Sequence, residues 1–323
     1  MEAKTITLDT KPDASLHVSI LRPQPEERGP MSNTLVVFLN GLVLPCAIWA
    51  ETVNHLVNLR YESGQAIPAI LCYDRYGQGR SDPDPTDAPN SPYGHDATAV
   101  VADLHQLLTQ ISRDEFSRNL DNIRLILVCN SIGCPLARLY AAKHTGGVAA
   151  YLFLDSMMAN TDFVSIFPDP ESPGFDESQL PGDVTVDALR HARAKFRQFF
   201  HPKVPNPERL DRRQLRELLP RADGPALPDG PGGKSALLVV VGHDWDEFAK
   251  QCEEGSLSVP KAVINEYMNP TWALYNEGLS HLVLAKTEVK IAVGCGHFIQ
   301  KDDPPFVAAE INNILNALKD NGW

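Results

Sequence analysis

The sequence predicts an α/β fold in which a mostly parallel sheet of eight strands is covered by helices on both faces. Two observations lead to this class. Short, uniformly apolar segments such as 35–39 (LVVFL) and 123–128 have the length and composition of strands buried on both faces. These segments alternate along the chain with stretches whose apolar residues repeat at helical spacing. Alternation of this kind is typical of a parallel sheet, because each helical crossover returns the chain across one face.

The strands are predicted from eight short segments bounded by turn residues. In chain order they are 5–8, 17–21, 35–39, 69–73, 123–128, 149–154, 235–241 and 289–293. A Lys-Pro-Asp turn separates the first two strands. The charged segment 23–30 that follows them begins and ends with proline, and it is predicted to be a loop.

Helices are predicted wherever apolar residues repeat every three or four positions. The predicted helices span 49–62, 96–111, 186–200, 208–219, 245–254 and 271–285, with one more beginning just after residue 133 and a last one beginning at residue 304. In the last helix, Pro304 occupies an N-terminal position that favours proline, and Val307, Ile311 and Leu315 lie on the inner face.

Residues 157–233 interrupt this alternation. Proline and aspartate crowd 167–183, and no buried strand is predicted between the strands ending at 154 and beginning at 235. We therefore predict a core formed by residues 1–156 and 234–323, with 157–233 inserted as a helical lid. Lids of this kind enclose a pocket and exclude water from it. The alternative is a solvated insertion without a functional part.

A serine stands at the junction of a predicted buried strand and a predicted helix. The turn reads Cys129-Asn130-Ser131-Ile132-Gly133, with cysteine where a G-x-S-x-G motif has its first glycine. In a strand–turn–helix, a serine at the crest projects above the sheet edge at the N-terminus of the helix. The sequence therefore predicts that Ser131 is a nucleophile. The alternative is a buried serine in an ordinary strand-to-helix turn.

Composition and charge exclude several kinds of partner. The 323 residues have a formal net charge of −12, which argues against binding nucleic acid or an anionic membrane surface. No run of 18 apolar residues occurs, so no membrane-spanning helix is expected. The six cysteines are scattered and form no C-x-x-C pair, which favours reduced thiols and a cytoplasmic location. The expected partner is a small-molecule substrate.

No cofactor or metal is expected. The pair Gly77-Gln78-Gly79 lacks the third glycine of a dinucleotide-binding turn, and Gly233-Lys234-Ser235 precedes a strand instead of following one. A histidine and two aspartates at 243, 244 and 246 lie close together, but the sequence lacks an H-E-x-x-H motif or a third set of ligands.

The chain resembles the α/β-hydrolase superfamily, because its motifs occur in the order and spacing of that family across residues 35–318. The residues that carry the resemblance are Asn40-Gly41-Leu42, the loop 74–82 (DRYGQGRSD), the turn around Ser131, and 294–304 (GCGHFIQKDDP). The chain departs from the family pattern at two positions. Asn40 replaces the usual histidine before Gly41, and Asn130 replaces the histidine often found before the serine. The resemblance implies an α/β-hydrolase fold.

The resemblance also implies a catalytic triad and an oxyanion hole. Ser131 would be the nucleophile and His297, beyond the last strand, its base. The acid remains open between Asp155, at the end of the sixth strand, and Asp244 or Asp246, after the seventh. The oxyanion hole would be formed by the backbone N–H groups of Ile132 and Leu42.

The expected activity is hydrolysis of a carboxylic ester or lactone of a small, fairly hydrophobic molecule through an acyl-enzyme on Ser131. Alternatives within the same triad are cleavage of a carbon–carbon bond in a β-diketone and transfer of the acyl group to an alcohol. From a different class, the chain could be a ligand-binding or receptor member of the fold without turnover.

Overall fold

The computed structural model describes residues 1–22, 31–285 and 287–322, and these form one eight-stranded sheet. The strands are β1 Glu2–Thr7, β2 Ser15–Leu21, β3 Thr34–Leu39, β4 Ala69–Tyr73, β5 Arg124–Ser131, β6 Val148–Ser156, β7 Leu237–His243 and β8 Lys290–Ala292. Their order across the sheet is β1-β2-β4-β3-β5-β6-β7-β8. β2 runs antiparallel to β1 and β4, and all other neighbours are parallel. The predicted loop 23–30 lies outside the described residues.

Helices cover both faces of this sheet. They are α1 Ala50–Glu62, α2 Ala97–Phe116, α3 Gly133–Lys143, α4 Val186–Phe199, α5 Leu215–Leu218, α6 Trp245–Glu254, α7 Lys261–Val263, a π-helical segment Ile264–Met268, α8 Asn269–Ser280, α9 Ile299–Asp302 and α10 Pro304–Asp320. Short 3₁₀ turns lie at Cys46–Trp49, Leu120–Asn122, Glu177–Gln179 and Pro231–Gly233. Among the described residues no helix is both long and apolar enough to cross a membrane.

The alternation of side chains along each central strand explains the two covered faces. In β3, Leu35 and Val37 belong to one apolar cluster, which also contains residues of α2 and α3. Val36 and Phe38 point the other way, into a second cluster with residues of α1 and α10. All four side chains are fully buried. The predicted α/β-hydrolase fold, with its mostly parallel sheet between two helical layers, is therefore confirmed.

The insertion segment, residues 157–233, contributes no strand to the sheet and contains one long helix, α4. Its aromatic side chains join the main apolar cluster: the Phe167 and Phe196 ring centroids are 4.9 Å apart, and Phe163 lies 6.1 Å from Trp272. This packing attaches the insertion segment to α8.

The helix predicted at 208–219 is wrong for most of its length, since only Leu215–Leu218 is helical. Arg209 has a positive φ of 59°, which no α-helix accommodates. Arg212 donates hydrogen bonds to the carbonyl groups of Phe200, His201 and Val204. Leu210, Leu215 and Leu219 are nevertheless buried, although most of the segment that carries them is irregular.

Candidate active site

A sharp turn at the end of β5 presents Ser131. Ser131 is the last residue of β5, and α3 begins two residues later at Gly133. Its φ is +54°, a left-handed conformation that few residues other than glycine adopt. A β-carbon at Gly133 would lie 2.3 Å from the carbonyl oxygen of Leu39, so that position admits only glycine. Ser131 thus has the backbone geometry of a nucleophile elbow.

A carboxylate at the end of the neighbouring strand contacts His297. Asp155 is the penultimate residue of β6, and the residue after it, Ser156, pairs with Ser131 in the parallel register. Asp155 Oδ2 lies 2.6 Å from Nδ1 of His297, which belongs to the loop after β8. The Asp155 side chain is fully buried, whereas that of His297 is 20% exposed.

The two histidines that contact Asp155 keep it ionised. Burial alone would raise the pKa of Asp155, because it disfavours the charged form. The charges and hydrogen bonds of His243 and His297 outweigh burial and lower this pKa to about 2. Asp155 is therefore a carboxylate at neutral pH, with one imidazole at each oxygen.

The residue before the elbow serine fixes the loop that carries His297. The Asn130 side chain is fully buried, and its Nδ2 donates to the carbonyl groups of Leu154 and His297 at 3.0 and 3.1 Å. Its Oδ1 accepts from Gln300 Nε2 at 3.0 Å. The asparagine that departs from the family pattern at 130 thus joins β5, β6 and the His297 loop at one sheet edge.

Asp244, the other sequence candidate for the acid, has a different environment. Its Oδ1 accepts from the backbone N–H groups of Asp246 and Glu247, which caps the N-terminus of α6. Its Oδ2 accepts from the N–H of Gly294 at 3.0 Å, and this bond is the main cause of its lowered pKa. The described contacts of His297 include the carboxylate of Asp155 and not that of Asp244.

The loop that carries Leu42 approaches the elbow closely. A β-carbon at Gly41 would lie 3.4 Å from Cβ of Ser131 and 3.1 Å from Oδ1 of Asn130. Ile132 follows Ser131 directly and is the N-cap residue of α3. The chain segments of both predicted oxyanion-hole residues, Leu42 and Ile132, therefore lie next to the serine.

A buried ion pair holds this loop in place. Arg75 donates from Nη1 to the carbonyl of Asn40 at 2.8 Å and from Nη2 to that of Gly41 at 2.9 Å. The same guanidinium lies 3.0 Å from the carboxylate of Glu208, which also accepts from the N–H of Val43 at 2.7 Å. Glu208 belongs to the insertion segment, so that segment and the core position the loop together.

Replacing Glu208 with glutamine should destabilise the protein and slow turnover. The substitution leaves the Arg75 guanidinium buried without its counter-charge, which typically costs about 3–5 kcal/mol of unfolding free energy. It also loosens the loop that carries Leu42, a predicted oxyanion-hole donor, and loss of one such donor typically lowers kcat by about 10²-fold or more. Chemical denaturation and steady-state kinetics measure both effects.

Glu171→Gln provides the matched control within the insertion segment. Glu171 pairs with Arg190 at 2.9 Å, but the two side chains are 71% and 53% exposed. Exposed pairs contribute about 0–1 kcal/mol, so this variant should retain stability and turnover. Equal stabilities for the two variants would contradict the role given to Glu208.

The second departure from the family pattern, Asn40, is also a fully bonded buried amide. Its Nδ2 donates to the carbonyl of Tyr73 at 2.8 Å and to Gln78 Oε1 at 3.0 Å. Its Oδ1 accepts from Trp49 Nε1 at 2.8 Å. Asn40 therefore links the ends of β3 and β4 beneath the loop that carries Leu42.

His243, which the sequence suggested only as part of a rejected metal site, also belongs to this site. His243 is the last residue of β7 and only 3% exposed. Its Nδ1 lies 2.8 Å from Asp155 Oδ1, on the side of the carboxylate away from His297. The position of His243 could have indicated this role, because it ends the strand next to β6, at the same sheet edge as Asp155.

Two groups of side chains in the described part of the chain have the spacing of metal ligands, with ligand atoms within 4.8 Å of one another. They are His17, Cys46 and Asp74, and Asp84, Asp87 and His95. Protein groups already occupy their carboxylates: Asp74 accepts from the N–H groups of Cys46 and Arg80, and Asp84 contacts Lys11 Nζ at 2.5 Å. Neither group contains a residue of the Ser131 site.

Several solved structures share this fold across nearly their whole length. A mutant epoxide hydrolase from Vigna radiata has a TM-score of 0.56 at 15% identity, covering 98% of each chain. A thermophilic esterase from Thermogutta terrifontis has a TM-score of 0.54 at 14% identity, covering 98% of this chain and 99% of its own. Alpha/beta hydrolase domain-containing protein 10 from mouse has a TM-score of 0.55 at 13% identity, covering 98% and 100%. At such identities the likeness concerns the fold alone.

No curated protein sequence matches the chain. The profile of the family described as "Alpha/beta hydrolase family" matches residues 36–310, which extend from β3 into α10. This range includes the elbow, the ends of β6 and β7, and the loop that carries His297. The chain therefore belongs to the alpha/beta hydrolase family.

Proposed function

We propose that this chain is a serine hydrolase that cleaves a carboxylic ester or lactone of a small, hydrophobic molecule. The observation that carries the proposal is the 2.6 Å contact between His297 Nδ1 and Asp155, at the sheet edge where Ser131 occupies a left-handed elbow. A serine needs a neighbouring base to act as a nucleophile at neutral pH, and an imidazole oriented by a buried carboxylate supplies one.

In the proposed reaction, Ser131 Oγ attacks the carbonyl carbon while Nε2 of His297 takes its proton. Asp155 holds the Nδ1–H tautomer and stabilises the imidazolium that forms. The N–H groups of Leu42 and Ile132 bind the oxyanion. His297 then protonates the leaving alkoxide, and a water molecule, activated by the same imidazole, releases the acid and regenerates Ser131.

The side chains around the base favour an apolar acyl or alcohol group. The Trp272 ring centroid is 5.4 Å from that of His297, and Phe163 from the insertion segment lies edge-on to Trp272. We propose that the insertion segment covers this apolar surface as a lid, excluding water. A serine at the crest, in place of aspartate, argues against epoxide opening through an alkyl-enzyme, although an epoxide hydrolase shares the fold.

The location proposed for this activity is the cytoplasm. All six cysteines are free and buried, which is the usual state of thiols in a reducing compartment.

A fluorophosphonate probe tests the central claim. Such a probe forms a stable bond only with an activated serine, so the native protein should be labelled and Ser131→Ala should not. Ser156→Ala is the matched control, because Ser156 pairs with Ser131 across β5 and β6, yet its hydroxyl donates to the carbonyl of Met157. Folded native protein that resists labelling would refute the proposal.

Product analysis then identifies the reaction type. Aryl esters, acyl lactones and β-diketones are incubated with labelling-competent protein, with and without an added alcohol. Release of acid from the esters or lactones supports the proposal. Cleavage of the diketone, or ester exchange with the alcohol, would replace the proposed hydrolysis with one of the other reactions open to the same triad. Labelling of Ser131 without turnover of any of these substrates would favour a binding protein.

A further inference from the structure

The carboxylate of Asp155 serves two histidines. Oδ2 faces Nδ1 of His297 at 2.6 Å, and Oδ1 faces Nδ1 of His243 at 2.8 Å. The backbone N–H of His243 also donates to Oδ1, at 3.3 Å. A triad needs only the first contact, so the second histidine calls for a separate explanation.

The hydrogen-bond partners of Asn269 determine the protonation of His243 Nε2. Asn269 Nδ2 donates to the backbone carbonyl of Trp245 at 3.1 Å and to Asn265 Oδ1 at 2.7 Å. A backbone carbonyl can only accept, so the amide orientation is fixed and its Oδ1 faces His243 Nε2 at 3.0 Å. Nε2 must therefore carry a hydrogen.

The other ring nitrogen also faces an acceptor. Because Asp155 is a buried carboxylate, an unprotonated Nδ1 would set a lone pair against a negative oxygen at 2.8 Å. Both nitrogens of His243 are donors only in the imidazolium form. Burial lowers the pKa of His243, but the charge and hydrogen bond of Asp155 outweigh burial and raise it.

The surroundings of His243 suit a cation. Titratable groups face it from β6 (Asp155) and from the start of α6 (Asp244), and His297 lies beyond the shared carboxylate. Helix α8 contributes Asn269 and Trp272, without a charge. The Phe248 ring stacks on the imidazole at 4.2 Å, and such contacts between cations and aromatic faces are favourable.

We propose that His243 is a permanently charged positioning residue that tunes the base His297 through their shared carboxylate. This inference rests on the proposed function. His243 fixes which oxygen of Asp155 is offered to His297, and its positive charge opposes the uptake of a proton by His297.

The pH profile of kcat/KM for an aryl ester tests this inference. His243→Gln removes the charge but keeps a donor toward Asp155, and it should move the acidic limb upward by about one pH unit, as expected for loss of a nearby cation. His243→Lys retains a positive charge and should leave the limb near its native position. His281→Gln, on a 43% exposed side chain, is the control and should change nothing.

A purely structural role would lower kcat/KM in both His243 variants equally at every pH, without moving the limb, and this result would overturn the inference. Nitrogen NMR of the native protein labelled at its ten histidines gives a readout independent of activity. One signal, lost in His243→Gln, should remain that of a doubly protonated ring at pH 8. A neutral tautomer there would refute the inference even if Ser131 is catalytic. An imidazolium signal in a protein without turnover would refute the proposed function, and with it the tuning of a catalytic base, and would leave only the charge of His243 supported.

Discussion

Replacing Ser131 with alanine is expected to lower kcat for an ester substrate by about 10⁴-fold or more. The alanine methyl group cannot form the acyl-enzyme, so only binding and the oxyanion-hole donors remain to accelerate attack by water. Steady-state assays of the variant and the native protein at equal concentration measure the loss of kcat. Circular dichroism shows whether the variant is folded. A variant that retains more than about a tenth of the native kcat would show that Ser131 is not the nucleophile.

The same position should show that the elbow is strained. Ser131 and an alanine in its place must both adopt the φ of +54°, whereas glycine adopts it freely. Ser131→Gly should therefore be about 1 kcal/mol more stable than Ser131→Ala. The matched control compares Ser156→Gly with Ser156→Ala, because Ser156 ends β6 and pairs with Ser131 without a positive φ, and glycine in a strand costs about 0.5–1 kcal/mol relative to alanine. At position 131 the glycine variant should be more stable than the alanine variant, and at position 156 it should be less stable. These opposite signs separate local backbone strain from a general effect of glycine.

The sheet could be predicted because its central strands are buried on both faces. A segment such as 35–39 is uniformly apolar, and no other common element of that length requires this composition. The turn around Ser131 could be predicted for a similar reason, since a small residue at Gly133 is forced by contact with Leu39. These features follow from local composition and from close packing, which leave a direct record in the sequence.

Contacts across the sheet edge leave a weaker record. Asp155 and Asp244 lie at the ends of two neighbouring buried strands, and spacing alone cannot tell which carboxylate turns toward His297. The choice depends on the register of β6 against β7 and on the cap that α6 requires, since this cap engages Asp244. His243 was missed for the same reason, because its role depends on a neighbouring strand.

The insertion segment shows a third limit. The apolar residues at 208–219 repeat at helical spacing, but most of the backbone there is irregular, and most of these residues are buried against the rest of the protein. Periodicity alone cannot distinguish this arrangement from a helix. The irregular backbone places the carboxylate of Glu208 against Arg75. Glu208, the first residue of the predicted helix, is thus fully buried against the loop that carries Leu42.

Replacing Asp155 with asparagine should lower kcat by about 10⁴-fold, the loss typical of a triad whose base loses its carboxylate and takes the wrong tautomer. The variant also removes the counter-charge of a buried imidazolium, and the unfolding free energy at pH 7 should fall by about 3 kcal/mol. Because the pKa of Asp155 is lowered to about 2 by its histidine partners, its share of native stability is complete above about pH 4. That share is lost as the pH falls toward 2, so the stability difference between native protein and variant should narrow in acid.

Asp244→Asn tests whether Asp244 is the catalytic acid or a carboxylate that only supports the structure. Asparagine caps helices about as well as aspartate, but its Nδ2 cannot accept from the N–H of Gly294, so this variant should keep the α6 cap and lose about 1–2 kcal/mol. Its kcat should stay within about threefold of native, because Asp244 bonds to backbone N–H groups and not to His297. A large loss in Asp244→Asn together with near-native turnover in Asp155→Asn would transfer the acid to Asp244. In that case the 2.6 Å contact of Asp155 with His297 would hold the loop in place without taking part in proton transfer.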